Sequence, residues 1–155
     1  MTFRISALPR ASFAPLWALS DEDLARNGAR RCVVTAKPGF PCRVSLMDAE
    51  VGEEVLLINF EHQPAATPFR ASHAVYVRPQ AEEANLAAGE VPALLRCRLL
   101  SLRAFDAAGM MVDAEVTAGA DIESLINQLF ADPRAAYIHA HAAKAGCYLA
   151  RIDRG

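Results

Sequence analysis

Two consecutive segments carry the fold: Met110-Met111-Val112-Asp113-Ala114-Glu115-Val116-Thr117 and Asp121-Ile122-Glu123-Ser124-Leu125-Ile126-Asn127-Gln128-Leu129-Phe130. In the first, Met110, Val112, Ala114 and Val116 alternate with Met111, Asp113, Glu115 and Thr117, the period-two pattern of a half-buried strand. In the second, Ile122, Leu125, Ile126, Leu129 and Phe130 fall at i, i+3, i+4, i+7 and i+8, which gathers them on one face of a helix. Asp121 is placed to cap that helix and Pro133 lies just beyond its end. A strand period that gives way to a helix period within a few residues predicts a sheet with helices packed on it.

The flanking sequence repeats the theme. Cys97 to Phe105 reads as the partner strand, joined through Asp106-Ala107-Ala108-Gly109, where Gly109 can supply a positive φ. Val55-Leu56-Leu57-Ile58-Asn59-Phe60 is nearly all apolar and predicts a central strand covered on both faces. Thr2 to Ala7 reads as an edge strand and Arg31 to Thr35 as a short strand. Ser72 to Arg78 places His73, Val75 and Val77 on one face. Ala136 to His141 and Tyr148 to Asp153 read as the last two strands, turned through Lys144-Ala145-Gly146. A first helix is predicted over about residues 21–27, with Ser20 as N-cap, Asp23 at N3, Leu19 against Leu24 as a staple and Gly28 at the stop. Pro92 to Arg96 reads as one helical turn and Ala81 to Gly89 as an exposed helix or loop. The prediction is an α+β fold: a mainly antiparallel or mixed sheet with two to three short helices, in a single domain over residues 1–155.

Composition narrows the function. With 155 residues the chain can bury a core without a metal or disulfide staple. The 53% hydrophobic content includes 31 alanines, and no stretch approaches the roughly 20 apolar residues of a membrane span. Net charge is −2 and the arginines Arg96, Arg98 and Arg103 are dispersed among leucines, so no nucleic-acid footprint is expected. The first residues lack a signal-peptide layout, which makes the cytoplasm the expected location. Cys32, Cys42, Cys97 and Cys147 contain no C-x-x-C pair, and reduced thiols are expected. Cys32 and Cys97 fall within apolar strand patterns and are assigned to the core.

Polar, reactive side chains concentrate in three places. Pro41-Cys42-Arg43-Val44-Ser45 sits in a long Pro- and Gly-containing loop, where a guanidinium beside a thiol favours thiolate and an Arg–Ser pair suits an anion. The plainer reading buries Cys42 as a small apolar residue and pairs Arg43 with Asp48 or Glu50. Glu61-His62 follows the central strand, with Arg70 and His73 across the next loop. The plainer reading there is that these side chains hold the loop backbone. Tyr137-Ile138-His139-Ala140-His141 puts two imidazoles on one face of a strand, and Gly146-Cys147 follows closely. A His-x-His pair is half a zinc site and needs further ligands, from Cys147, His62 or His73. Without them, His139 and His141 belong at a sheet edge, bonded to backbone or carboxylates. Phosphate-binding glycine loops and the G-x-S-x-G elbow are absent.

Lys37-Pro38-Gly39-Phe40-Pro41-Cys42-Arg43-Val44-Ser45-Leu46, Asn59-Phe60-Glu61-His62-Gln63-Pro64, Ser72-His73-Ala74 and His139-Ala140-His141-Ala142-Ala143-Lys144-Ala145-Gly146-Cys147 together resemble the bacterial domain-of-unknown-function family 1203. The resemblance runs from Thr2-Phe3-Arg4 to Arg151-Ile152-Asp153-Arg154. It implies a bacterial, single-domain, cytosolic protein and carries over no activity, cofactor or catalytic residue.

Three functions fit these residues. In the first, a small enzyme or binding protein for an anionic ligand, Cys42, His62 and His141 are the catalytic candidates. Arg43, Ser45, Arg70, His73 and His139 bind the ligand. In the second, the chain is a non-catalytic homodimeric module that uses Phe13, Leu16 and Trp17 or a free sheet edge. In the third, a metal sits on His139 and His141. No cofactor follows from the sequence.

Overall fold

The two periodicities resolve into two sheets. The computed structural model describes residues 2–155. The strands are β1 (Phe3–Ser6), β2 (Ala29–Val33), β3 (Pro41–Cys42), β4 (Met47–Asp48), β5 (Glu54–Gln63), β6 (Ala71–Val77), β7 (Leu99–Phe105), β8 (Met111–Ala118), β9 (Tyr137–Ala142) and β10 (Tyr148–Arg154). The helices are α1 (Asp21–Arg26), α2 (Ala93–Arg96) and α3 (Ile122–Phe130), with short 3-10 turns at Arg10–Ser12, Ala14–Ala18 and Gly119–Asp121. One five-stranded sheet runs β1-β10-β9-β7-β8 and the other β2-β5-β6-β3-β4. Pairing is antiparallel except for the short parallel contact of β3 with β6. The fold is α+β.

The first sheet has two unlike faces. Leu100, Leu102, Ala104, Ile138, Ala140, Ala150 and Ile152 pack with Ile122, Leu125, Ile126, Leu129 and Phe130 of α3 in one buried cluster. The helical stripe read from the sequence is therefore core, at about 2 kcal/mol per buried side chain. The strand registers put the alternate residues on the opposite face. Arg103 pairs with His139, Ser101 with His141 and Phe105 with Tyr137 between β7 and β9. Tyr148 pairs with His141 and Arg151 with His139 between β10 and β9.

The second sheet packs with the N-terminal turns through Leu8, Phe13, Leu24, Leu56, Ile58, Val75 and Val77, and Tyr148 of β10 joins this cluster. That shared residue is where the sheets meet. β5 is interior to its sheet, between β2 and β6, with Val55, Leu56 and Ile58 buried; its other face is only partly covered, since Leu57 is half-buried and lines a groove. Ser20 caps α1, accepting from the Asp23 amide at 3.1 Å, and Gly28 follows the helix at φ 66°. Gly109 closes the β7–β8 turn at φ 88°.

Several expectations fail for local reasons. β8 is an edge strand, and Val116 is 51% exposed; alternation gives burial only where a second layer covers the face. Of its alternating set, Val112 packs against the core. Cys97 is exposed, because α2 ends there and β7 starts only at Leu99. Phe13, expected to be exposed, is 1% exposed, and Leu16 and Trp17 are half-buried against the same cluster. The 3-10 turns of this segment lay it over the second sheet. β9 lies inside its sheet, between β10 and β7, so His139 and His141 are not at an edge. Asp121 occupies the N-cap position of α3 without a side-chain hydrogen bond, since a 3-10 turn already leads into the helix.

Candidate functional site

Four histidines from three strands, one of them on a bulge, converge where the sheets meet. His139 and His141 sit two apart on β9, so the pleat aims both rings to one side. His62 owes its position to an irregularity: pairing steps from Glu61–Ser72 to Gln63–Ala71, so His62 is the extra residue of a β-bulge. Bulges re-aim a side chain and recur beside functional sites. His73 on β6 stands next to it, with His62 Nε2 and His73 Nδ1 2.6 Å apart. Tyr148 is stacked on His62, with ring centroids 4.8 Å apart, and meets His139 and His141 edge-on.

The hydrogen bonds fix how these rings present themselves. His141 Nδ1 lies 2.9 Å from the Gly146 carbonyl. A carbonyl only accepts, so Nδ1 carries the proton and Nε2 keeps a bare lone pair. The tautomer in which His62 Nε2–H donates to His73 Nδ1 likewise leaves the lone pair of His62 Nδ1 free. His62 Nδ1, His139 Nδ1 and His141 Nε2 are all buried, and none finds a hydrogen-bond partner in the protein. One ligand nitrogen from each of His62, His139 and His141 lies within 4.8 Å of the others. A buried polar atom without a partner is costly, and three of them on neighbouring rings form an exceptional group.

Electrostatics keeps the rings neutral. Burial pushes His62 down to about 4, His139 to about 3 and His141 to about 2. Neighbouring imidazoles and the Arg103 guanidinium add to that push, with Arg151 also acting on His139. His73 is lowered by partial burial, then by Arg103 and Arg43. Neutral imidazole is the form that ligates a metal. Tyr148 is driven upward by burial and stays a phenol.

The other residues singled out in the sequence are placed differently. Cys42 is fully buried, and its sulfur accepts from the amides of Ser45 and Arg78 rather than meeting a histidine. Arg43 pairs with neither Asp48 nor Glu50. Its side chain is 1% exposed, with Nε donating to the Tyr148 carbonyl at 2.8 Å and Nη1 to the Pro41 carbonyl at 2.5 Å. Asp48 is taken by Arg98. Ser45 Oγ is buried without a partner. Arg70 is on the surface, paired with Glu61 at 2.8 Å. Cys147 lines the groove beside Arg43 and is not among the residues whose ligand atoms converge. All four cysteines are free. A groove of about 1300 Å³ passes Arg43, Tyr76, Arg98, Lys144 and Cys147 and includes none of the four histidines. Of its cations, Arg43 and Arg98 are already engaged.

Sequence reading missed Arg103 and Tyr148 as parts of this site. The signal for Arg103 was present: Ser101, Arg103 and Phe105 alternate with Leu100, Leu102 and Ala104, marking a polar face. The register then sets Arg103 opposite His139.

No helix among the described residues is long and apolar enough to cross a membrane. Comparison with curated proteins and with solved structures found no match to this chain. The model of the family described as "Protein of unknown function (DUF1203)" matches residues 39–154, and the chain belongs to that family.

Proposed function

We propose that this chain is a mononuclear metal protein in which His62, His139 and His141 hold one divalent transition-metal ion, zinc in the first instance. Two observations carry this reading: His62, His139 and His141 each bring a ring nitrogen within 4.8 Å of the others, and each has a buried ring nitrogen with no hydrogen-bond partner among the described residues. Imidazole suits zinc as well as copper, iron and nickel, so the donor set selects a class of ion. Three protein ligands on a tetrahedral ion leave the fourth position for water or substrate, the arrangement of catalytic rather than structural zinc. An ion so placed would lower the pKa of its water to about 7 and supply hydroxide at neutral pH. The reading is therefore a small metalloenzyme of hydrolytic or hydration type.

The supporting groups fit that role. The Gly146 carbonyl orients His141, and His73 orients His62, as the outer partners of metal-bound imidazoles do. Protein purified without a polyhistidine tag and exposed to zinc is expected to retain one equivalent after exhaustive dialysis, by elemental analysis. His139→Ala is expected to abolish retention with the fold intact by circular dichroism. Wild-type protein that retains no stoichiometric zinc, copper, iron or nickel would overturn the proposal.

A homodimer through the open β8 edge is a second reading, favoured by the exposed Val116 on that strand and by the exposed Leu99 at the start of the neighbouring β7. A concentration-independent monomer mass in sedimentation would remove it.

A further inference from the structure

The cation beside the histidines has no counter-ion among the described residues. Arg103 is half-buried, and its Nε makes a long 3.4 Å contact with Ser101 Oγ. No carboxylate among the described residues comes within ion-pair distance of it, whereas Arg78, Arg98 and Arg151 are each held by an acid: Glu53, Asp48 and Asp153. Its charge acts on His62, His73, His139 and His141, and no Asp or Glu offsets it at any of them. A partly buried guanidinium without an anion is an unfavourable arrangement that a bound anion relieves. A divalent ion on three neutral imidazoles would add two more positive charges to the same space.

We infer that Arg103 binds the carboxylate group of a small substrate presented to the three-histidine centre; this rests on the metal reading above. The register places Arg103 directly across from His139, which puts the guanidinium within one side-chain length of the ligand set. Arg103, His62 and His73 are half-buried while His139 and His141 are buried, so the guanidinium lies on the more solvent-accessible side of the group. A planar fork with a free edge matches a carboxylate in a bidentate pair. A phosphate would need further donors, and the nearest candidates are spent: Arg43 on backbone carbonyls and Arg151 on Asp153.

Cobalt(II)-loaded protein, followed by its visible spectrum, tests this with acetate and inorganic phosphate as probes. Acetate is expected to perturb the cobalt bands and to bind more tightly than phosphate. Arg103→Gln is expected to hold cobalt at the same stoichiometry and to bind acetate about 10-fold or more weakly, the loss of a charge-assisted pair. Arg103→Lys, which keeps the charge without the fork, is expected to fall between them. Acetate binding unchanged in Arg103→Gln, or tighter binding of phosphate than acetate, would overturn the assignment while leaving the metal site standing. Wild-type protein that takes up no cobalt would fail the metal reading itself, and the carboxylate assignment with it.

Discussion

Arg43 and the His139–His141 pair both reach Tyr148, the first through its backbone carbonyl and the second through its ring. Arg43 is 1% exposed, His139 2% and His141 0%. All are costly to bury. The guanidinium has its donors placed on the carbonyls of Tyr148 and Pro41, so its burial is answered inside the protein and it serves as a brace between the β3 turn and β10. His139 and His141 each leave one nitrogen unanswered. Burial alone does not separate a structural polar residue from a functional one; the destination of its polar atoms does.

That contrast can be broken by mutation. Arg43→Met strands two buried carbonyls and is expected to cost about 3 kcal/mol of unfolding free energy, read from denaturant midpoints. A cost below about 1 kcal/mol would mean that Arg43 is not a brace. His73→Phe removes the partner of His62 Nε2 and is expected to weaken zinc binding 10–100-fold in a chelator competition, with the stoichiometry preserved. An unchanged affinity would show that His73 does not orient His62.

Acid supplies the next test. In the unfolded chain a histidine takes its proton near pH 6.5, but the folded His139 and His141 resist it down to about 3 and about 2. Between those limits the unfolded state binds more protons, so stability rises with pH and is fully present only above about 6.5. Metal-free protein is therefore expected to lose about 1.4 kcal/mol per pH unit for each of these two rings as pH falls from 6 to 4. A flat profile would show the rings already protonated or solvated. The smallest effect is expected from His139→Leu in metal-free protein: within about 1 kcal/mol of wild type, since it exchanges an unsatisfied ring for an apolar side chain. A large loss there would make His139 a structural residue like Arg43.

Much of this was legible in the sequence. The stripe from Ile122 to Phe130 and the run from Val55 to Phe60 are where periodicity predicts them, because local spacing and burial agree there. The His-x-His geometry was readable for the same reason: a strand's pleat is local. The third imidazole was not. His62 is separated from His139 by about half the chain, and its aim depends on a bulge that no spacing announces. Cys42 and Arg43 looked reactive because they are adjacent in sequence. The fold sends the thiol to backbone amides and the guanidinium to backbone carbonyls, which only tertiary structure reveals. Phe13 was expected to be exposed because a segment broken by two prolines gives no periodic sign of which side chains turn inward.

The bulge at His62 also has a mechanical consequence. It puts one arm of the candidate centre on the second sheet and two on the first. An ion held there would act as a removable cross-link, closing a long loop between β5 and β9 and lowering the entropy of the unfolded chain. Slow amide exchange in β5 and β9 would then rise and fall together with metal occupancy, so that two sheets open as one unit when the ion is bound and separately when it is removed.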